Sequence, residues 1–432
     1  MAPLGLYVHV PFCSAICNYC NFNRGLFDAG VKARYVDAVV AEIERAGLKA
    51  CTTTPGVVQA LRPAVETPGV VQALRPAVET TEVVQAFRPA VETTDIVQAF
   101  EPAVSSRSAA DTIFFGGGTP SLLEPEEIAR IIAACETAFN LAADREVTLE
   151  ANPESVTGPR LSAYRRAGVN RLSFGVQSFR EDELRLLSRL HSADRARAAF
   201  GEARAAGFDN VSLDLMMWLP QQRVVEWFES IDAAIALDPE HLSLYMLEVY
   251  PNAPLKDDMA RARWSQAPDD DVAAMYLGAM ARLDAAGYGQ YEISNVAKPG
   301  RRSRHNLKYW ADGEWLGFGC GAHSTRGGVR WKNISSTEEY IAAVGRAATL
   351  EVDARRMTPA ERLGDALFTG LRLVDGIDIN AIQTRYGVDV WRRFGADLEP
   401  FLEAGCLRRT ESGLSLTREG MLLAHEVMSV FV

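Results

Sequence analysis

The chain has no uninterrupted apolar run long enough to cross a bilayer, so no membrane-spanning helix is expected. Its opening stretch, MAPLGLYVHVPFC, has no basic region ahead of the short apolar segment and does not read as a secretory signal. Without export the expected compartment is the reducing cytoplasm, where structural disulfides are rare. Positive charge is not in surplus: 45 Lys and Arg stand against 56 Asp and Glu, a formal net charge of -11. That balance argues against general nucleic-acid binding and leaves room only for a local basic patch. Cysteine is scarce, seven among 432 residues. Cys51, Cys135 and Cys406 are isolated and read as small buried hydrophobes. Cys13, Cys17 and Cys20 crowd into one short loop and need a different explanation.

The length allows one large domain and a smaller one. A short apolar β-type run over 6–10 precedes the cysteine loop, and a helix is expected from about 32 to 48. Then the composition changes. VVQALRPAVET stands at 57–67 and again at 70–80, VVQAFRPAVET at 83–93, and a decayed copy, IVQAFEPAVSS, at 96–106. Each copy carries a proline after a few helix-compatible residues, which rules out one long helix. Near-identity of the copies fits recent duplication. The segment 52–106 reads as a tolerated surface insertion that need not be fully ordered, the alternative being a small repeat platform for a partner.

Beyond the insertion, strand and helix patterns alternate. DTIFFGGGTP, REVTLEANP, RLSFGVQS, NVSLDLMMWLP and HLSLYMLEV read as strands, with helices expected over 125–139, 161–167, a stretch reaching 206, and 224–237. This alternation predicts an α/β fold with a parallel sheet closed wholly or partly into a barrel. The divisions read from the sequence are 1–50 for the start of the core with the cysteine loop, 107–350 for its remainder, and 356–432 for a small α+β C-terminal domain.

The cysteines form a C-x3-C-x2-C spacing through Cys13, Cys17 and Cys20. Three thiolates in one loop can hold three irons of a cubane cluster and leave the fourth iron open to another ligand. Zinc is the rival, but structural zinc normally takes four protein ligands from paired cysteines, and no second pair stands nearby.

This spacing resembles the signature of the radical S-adenosylmethionine (SAM) superfamily. The resemblance implies a 4Fe-4S cluster on the three cysteines, SAM on the open iron, and a partial (β/α) barrel. GGGTP at 116–120, at the end of an apolar strand, resembles the segment that holds the methionine amino group in that family. Order and spacing resemble the branch that includes the oxygen-independent coproporphyrinogen III oxidases. By that resemblance Tyr7, Tyr19, Gly117, Gly118, Thr119, Glu150, Gln177, Arg189 and Asp214 contact SAM. Arg189 is expected in a helix, Tyr19 lies between two of the cysteines, and Glu150, Gln177 and Asp214 fall on successive strands near their ends, where barrel enzymes build their sites. Taken singly, each of these polar residues also reads as an ordinary hydrogen-bonded group.

YVHVPFC, CNYCNF, FFGGGTPSLL, EANPE, RLSFGVQS, RHNLKYW and LGFGCGAHS together resemble the haem chaperones of that branch. The oxidases carry a fourth cysteine two residues after the third, and Phe22 stands there instead. RHNLKYW supplies His305, Asn306 and Tyr309, the H-N-x-x-Y pattern associated with haem, and Arg301, Arg302, Arg304 and Lys308 add local positive charge. The alternative is a structural His–Asn–Tyr hydrogen-bond cluster. The resemblance implies haem or a related porphyrin as cargo, a haem-requiring recipient such as a membrane respiratory protein, and a cytoplasmic site of action that reaches the membrane only through that partner. Decarboxylation of coproporphyrinogen III, or radical SAM chemistry on another substrate, remains the enzymatic alternative. Two departures stand out. Trp218 and Gln221 replace glycines expected in DLMMWLPQQ, and Cys320 replaces an expected proline. Trp218, close to Asp214, is expected to crowd SAM or reshape the substrate pocket.

Overall fold

The computed structural model describes residues 2–52, 107–251, 253–266 and 268–432, the side chains of 48–52 excepted. The repeats therefore lie outside the described residues. Seven strands run parallel side by side: Trp315–Phe318, Leu4–Val10, Ala109–Gly117, Asn140–Ala151, Arg171–Gln177, Val211–Met217 and His241–Met246. Short antiparallel strands extend both edges, giving 12 strands in one open sheet among the described residues. The sheet is the partial-barrel form of the expected fold.

Period-two alternation explains the two faces. Leu6, Val8 and Val10 are fully buried against helices, as are Ile113, Phe115, Leu149, Leu172 and Leu213. The intervening positions, Tyr7 and His9, Thr112, Glu150, Ser173 and Asp214, take the other face. Paired strands keep these positions in register. The concave side is therefore polar although the strands are mostly apolar.

The helices Ala29–Thr52, Pro125–Ala138, Gly158–Arg166, Ala193–Ala205 and Val224–Leu237 connect successive strands. Val224–Leu237 has the bounds read from the sequence. The stretch expected to be helical up to 206 divides into Glu181–Leu186 and Ala193–Ala205, with Ser188 in the left-handed region at φ 53° between them. Arg189 thus sits in a loop, not a helix as expected. At the C-terminal end, Pro359–Gly370, Ile379–Tyr386 and Val390–Glu403 pack beside a three-stranded sheet of Ile377–Asp378, Gly413–Leu416 and Leu407–Arg409. Leu363, Leu367, Val427 and Phe431 of this part join the same apolar core as the large sheet.

Candidate SAM and cluster site

The cysteine loop leaves the first strand at Val10 and crosses the C-terminal ends of its neighbours. Backbone bonds tie it there: Gly118 N–H donates to Val10 C=O and Thr119 N–H to Phe12 C=O, both at 2.7 Å. A Cβ on Gly118 would lie 2.6 Å from the Phe12 oxygen and 3.0 Å from Cys13 Sγ, so only glycine lets the two segments meet. Gly117, at φ 117°, turns its N–H onto Glu150 Oε2 at 3.2 Å.

A cavity of about 360 Å³ opens beside this junction. Cys13, Cys17 and Cys20 line it, all with free thiols, together with Tyr19, Gly117, Gly118, Thr119, Glu150, Gln177, Arg189 and Asp214. The fold thus brings every residue assigned to cluster and SAM to one wall, except Tyr7. Tyr7 lines an adjoining chamber, with its hydroxyl 3.1 Å from His9 Nδ1. Among the described residues no set of three or more His, Cys, Asp or Glu side chains is gathered tightly enough for a single metal ion. A cubane does not require that, because each thiolate binds a different iron.

Arg189 joins the two halves of the site. Its Nη1 donates to Cys17 Sγ at 3.4 Å, and its Nη2 donates to Asn152 Oδ1 and to the Gly175 carbonyl, each at 2.7 Å. Its Nε and Gln177 Oε1 are sealed from solvent without a protein partner. Orphaned buried groups of this kind call for a ligand or an ordered water. Burial first, and then the charge of Asp214, push the Glu150 carboxyl up to about 8. Burial likewise raises Asp214, which accepts from Ser173 Oγ at 3.1 Å. Two buried carboxyls beside one cavity, both raised by burial, form a site that gains from a cationic ligand.

The adjoining chamber, about 550 Å³, shares Gly117, Glu150, Ser173, Asp214 and Tyr245 with the first. His305, Asn306 and Tyr309 line it. His305 is 1% exposed, and both ring nitrogens are engaged, Nδ1 with Thr112 Oγ1 and Nε2 with Tyr309 Oη, each at 2.8 Å. Its backbone N–H donates to Glu146 Oε1 at 3.1 Å. Burial, Lys308 and Arg171 hold the imidazole down to about 3. The neighbouring positive charges are neutralised: Arg301 pairs with Asp209, Arg302 with Asp375, Arg304 with Asp111 and Asp144, and Lys308 with Asp111. His305 therefore belongs to an internal hydrogen-bond cluster and not to a basic surface.

Trp218 and Gln221 both sit in the left-handed region, at φ 65° and 62°, which is why glycine is expected there. Trp218 lines neither chamber and packs against the main core. The departure falls on the backbone and leaves the SAM cavity uncrowded. Cys320 is buried, its N–H bonded to Tyr35 Oη at 3.0 Å and its carbonyl to Asn23 of the cysteine loop at 3.2 Å.

Sequence reasoning missed Asn152, Arg171 and His323. Asn152 also donates to Thr119 Oγ1 at 3.2 Å, and its place in EANPE, two residues beyond Glu150, was the available signal. Arg171 alternates with Ser173, Gly175 and Gln177 on one strand face. His323 shares the Trp315–Thr325 face of its hairpin, a pairing that no local pattern reveals.

The radical SAM superfamily model matches residues 85–234, and the HemN C-terminal domain model matches residues 357–423. Heme chaperone HemW of Bacillus subtilis is 32% identical over 427 residues, covering 99% of this chain and 98% of that protein. Heme chaperone HemW of Mycobacterium tuberculosis is 35% identical over 434 residues, covering 99% and 94%. The chain belongs to the HemW haem chaperone family. A mouse relative, radical S-adenosyl methionine domain-containing protein 1, mitochondrial, is 33% identical over 98% of this chain and 86% of its own. Coproporphyrinogen III oxidase (HemN) from Escherichia coli, a solved structure, superimposes with a TM-score of 0.76 at 22% identity, covering 99% of this chain and 90% of that one. That likeness establishes the radical SAM fold. The family implies a 4Fe-4S cluster and SAM. No helix among the described residues is long and apolar enough to cross a membrane.

Proposed function

We propose that this chain is a cytoplasmic haem carrier that holds a 4Fe-4S cluster on Cys13, Cys17 and Cys20, binds SAM beside it, and passes haem to haem-requiring proteins. The observation that carries the proposal is the pair of adjoining chambers. One is lined by the three free cysteines and the SAM residues, the other by an aromatic and imidazole wall.

When bound, the cluster would supply an electron to SAM. The chain's own residues do the positioning. Arg189, already held by Asn152 and Gly175, presents its guanidinium to the methionine carboxylate. Glu150 and Asp214 accept hydrogen bonds from the amino group and ribose. Gln177 offers the orphaned oxygen, and Tyr19 its ring. The SAM core comprises 1–50 and 107–350, interrupted by the insertion 52–106, and is followed by a C-terminal domain over 356–432.

Haem belongs in the larger chamber. Tyr7, Phe114, Tyr309 and Trp315 give it flat apolar walls suited to a porphyrin face. Tyr309 and Asn306 face the cargo, and His305 holds the Tyr309 hydroxyl from behind. His323 lines the same chamber, is exposed, and makes no ring hydrogen bond among the described residues, so it is the candidate iron ligand, while His305, bonded at both nitrogens, positions Tyr309. The test is a haem titration of wild type, His305→Ala and His323→Ala, read in the Soret band. A changed spectrum in either variant, with cluster absorption intact, supports the chamber as the haem site. Unchanged spectra and affinities in both would place haem elsewhere.

A further inference from the structure

Arg171 opens the strand Arg171–Gln177, an otherwise apolar-and-small sequence, and is 1% exposed. Among the described residues its guanidinium makes no hydrogen bond and no ion pair, and its Nε is sealed from solvent without a partner. The other two arginines that line the chambers each keep protein hydrogen bonds, Arg189 to Asn152 and the Gly175 carbonyl, and Arg24 to the carbonyls of Cys20 and Phe22. A buried guanidinium is always charged, so it cannot escape the desolvation cost by losing its proton. Its charge is faced through space by Glu150 and Asp214, but among the described residues no carboxylate bonds it directly, so its hydrogen-bonding capacity is left for a ligand.

Its surroundings say which ligand. Arg171 lines the larger chamber together with Phe114, Tyr309 and Trp315. A rigid fork of donors lining an aromatic-walled chamber matches a carboxylate carried on a flat apolar ligand.

We infer that Arg171 is the carboxylate anchor of the larger chamber and pairs with a propionate of the bound porphyrin. This rests on the proposed haem-carrier reading and adds to it the group that fixes the cargo's orientation. Arg171 is a binding residue here and takes no part in holding the cluster.

The test compares haem with its dimethyl ester, in which both carboxylates are masked. Wild-type protein should bind haem about ten- to a hundredfold more tightly than the ester. Equal binding of the two overturns the inference with no mutant needed. Arg171→Met should bind both ligands alike, at the wild-type affinity for the ester, with the cluster absorption unchanged. Retained discrimination in Arg171→Met, or a loss confined to SAM, overturns the inference. Failure of the wild type to bind either porphyrin contradicts the haem-carrier reading itself and is distinguishable from those outcomes.

Discussion

Replacing His305 with alanine tests whether the H-N-x-x-Y segment is a structural keystone as well as a wall of the haem chamber. The side chain is fully enclosed and bonded at both nitrogens, and it stacks on Phe114 with centroids 5.1 Å apart. Two neutral hydrogen bonds contribute about 1 kcal/mol each, and emptying a core site of this size costs about 2–5 kcal/mol. Thr112 Oγ1 and Tyr309 Oη would also lose their partner. The expected loss is about 4 kcal/mol of folding stability, read from denaturant midpoints by circular dichroism. The pH dependence gives a second readout. The folded imidazole is held at about 3, below the ordinary 6.5 of the unfolded chain. Between those values the unfolded state binds the extra proton, so stability falls as pH drops through that window, by up to about 1.4 kcal/mol per unit, and is fully present above it. His305→Gln should remove that share of the slope. An unchanged midpoint in His305→Ala, or an unchanged acid slope in His305→Gln, would refute the buried, doubly bonded placement.

Other outcomes follow from the same geometry. Alanine at Cys13, Cys17 or Cys20 should remove most bound iron and the cluster absorption. Equal dependence on Cys51, Cys135, Cys320 or Cys406 would break the three-ligand assignment. With the Glu150 carboxyl pushed up to about 8, SAM affinity should rise with pH up to that value and become flat in Glu150→Gln. Gln221→Gly should raise stability by about 1 kcal/mol, because an exposed residue at φ 62° is relieved of its Cβ clash. Replacing 57–106 with a short Gly/Ser linker should leave iron content and thermal midpoint nearly unchanged, and a collapse of folded yield would show that the repeats pack on the core.

Much of the architecture was legible because buried strands here are short apolar runs with polar residues on alternate positions. RLSFGVQ and VSLDLMM announce both their strand character and the residues they present to the concave face. The cysteine spacing and GGGTP were legible as local motifs, and the cavity gathers them. What was not legible depends on distant pairing. Arg189 leaves its helix because the chain turns at Ser188, which no propensity marks. The cations around His305 looked like a basic patch because their partners, Asp111, Asp144, Asp209 and Asp375, are remote in sequence. Trp218 looked like an obstruction because its chain position is close to Asp214, whereas its side chain packs on the core side. Arg171 drew no notice because an arginine at a strand start is ordinary until its place on the chamber wall is seen in three dimensions.

The central claim is that this chain carries haem and does not decarboxylate a porphyrin precursor. Its most direct test is an anaerobic titration of the reconstituted protein with haem, with product analysis on added coproporphyrinogen III and SAM in the same preparation. The account predicts saturable haem binding with a Soret shift, transfer of that haem to an apo-haemoprotein acceptor, and no decarboxylated product. Decarboxylated product without saturable haem binding would contradict it.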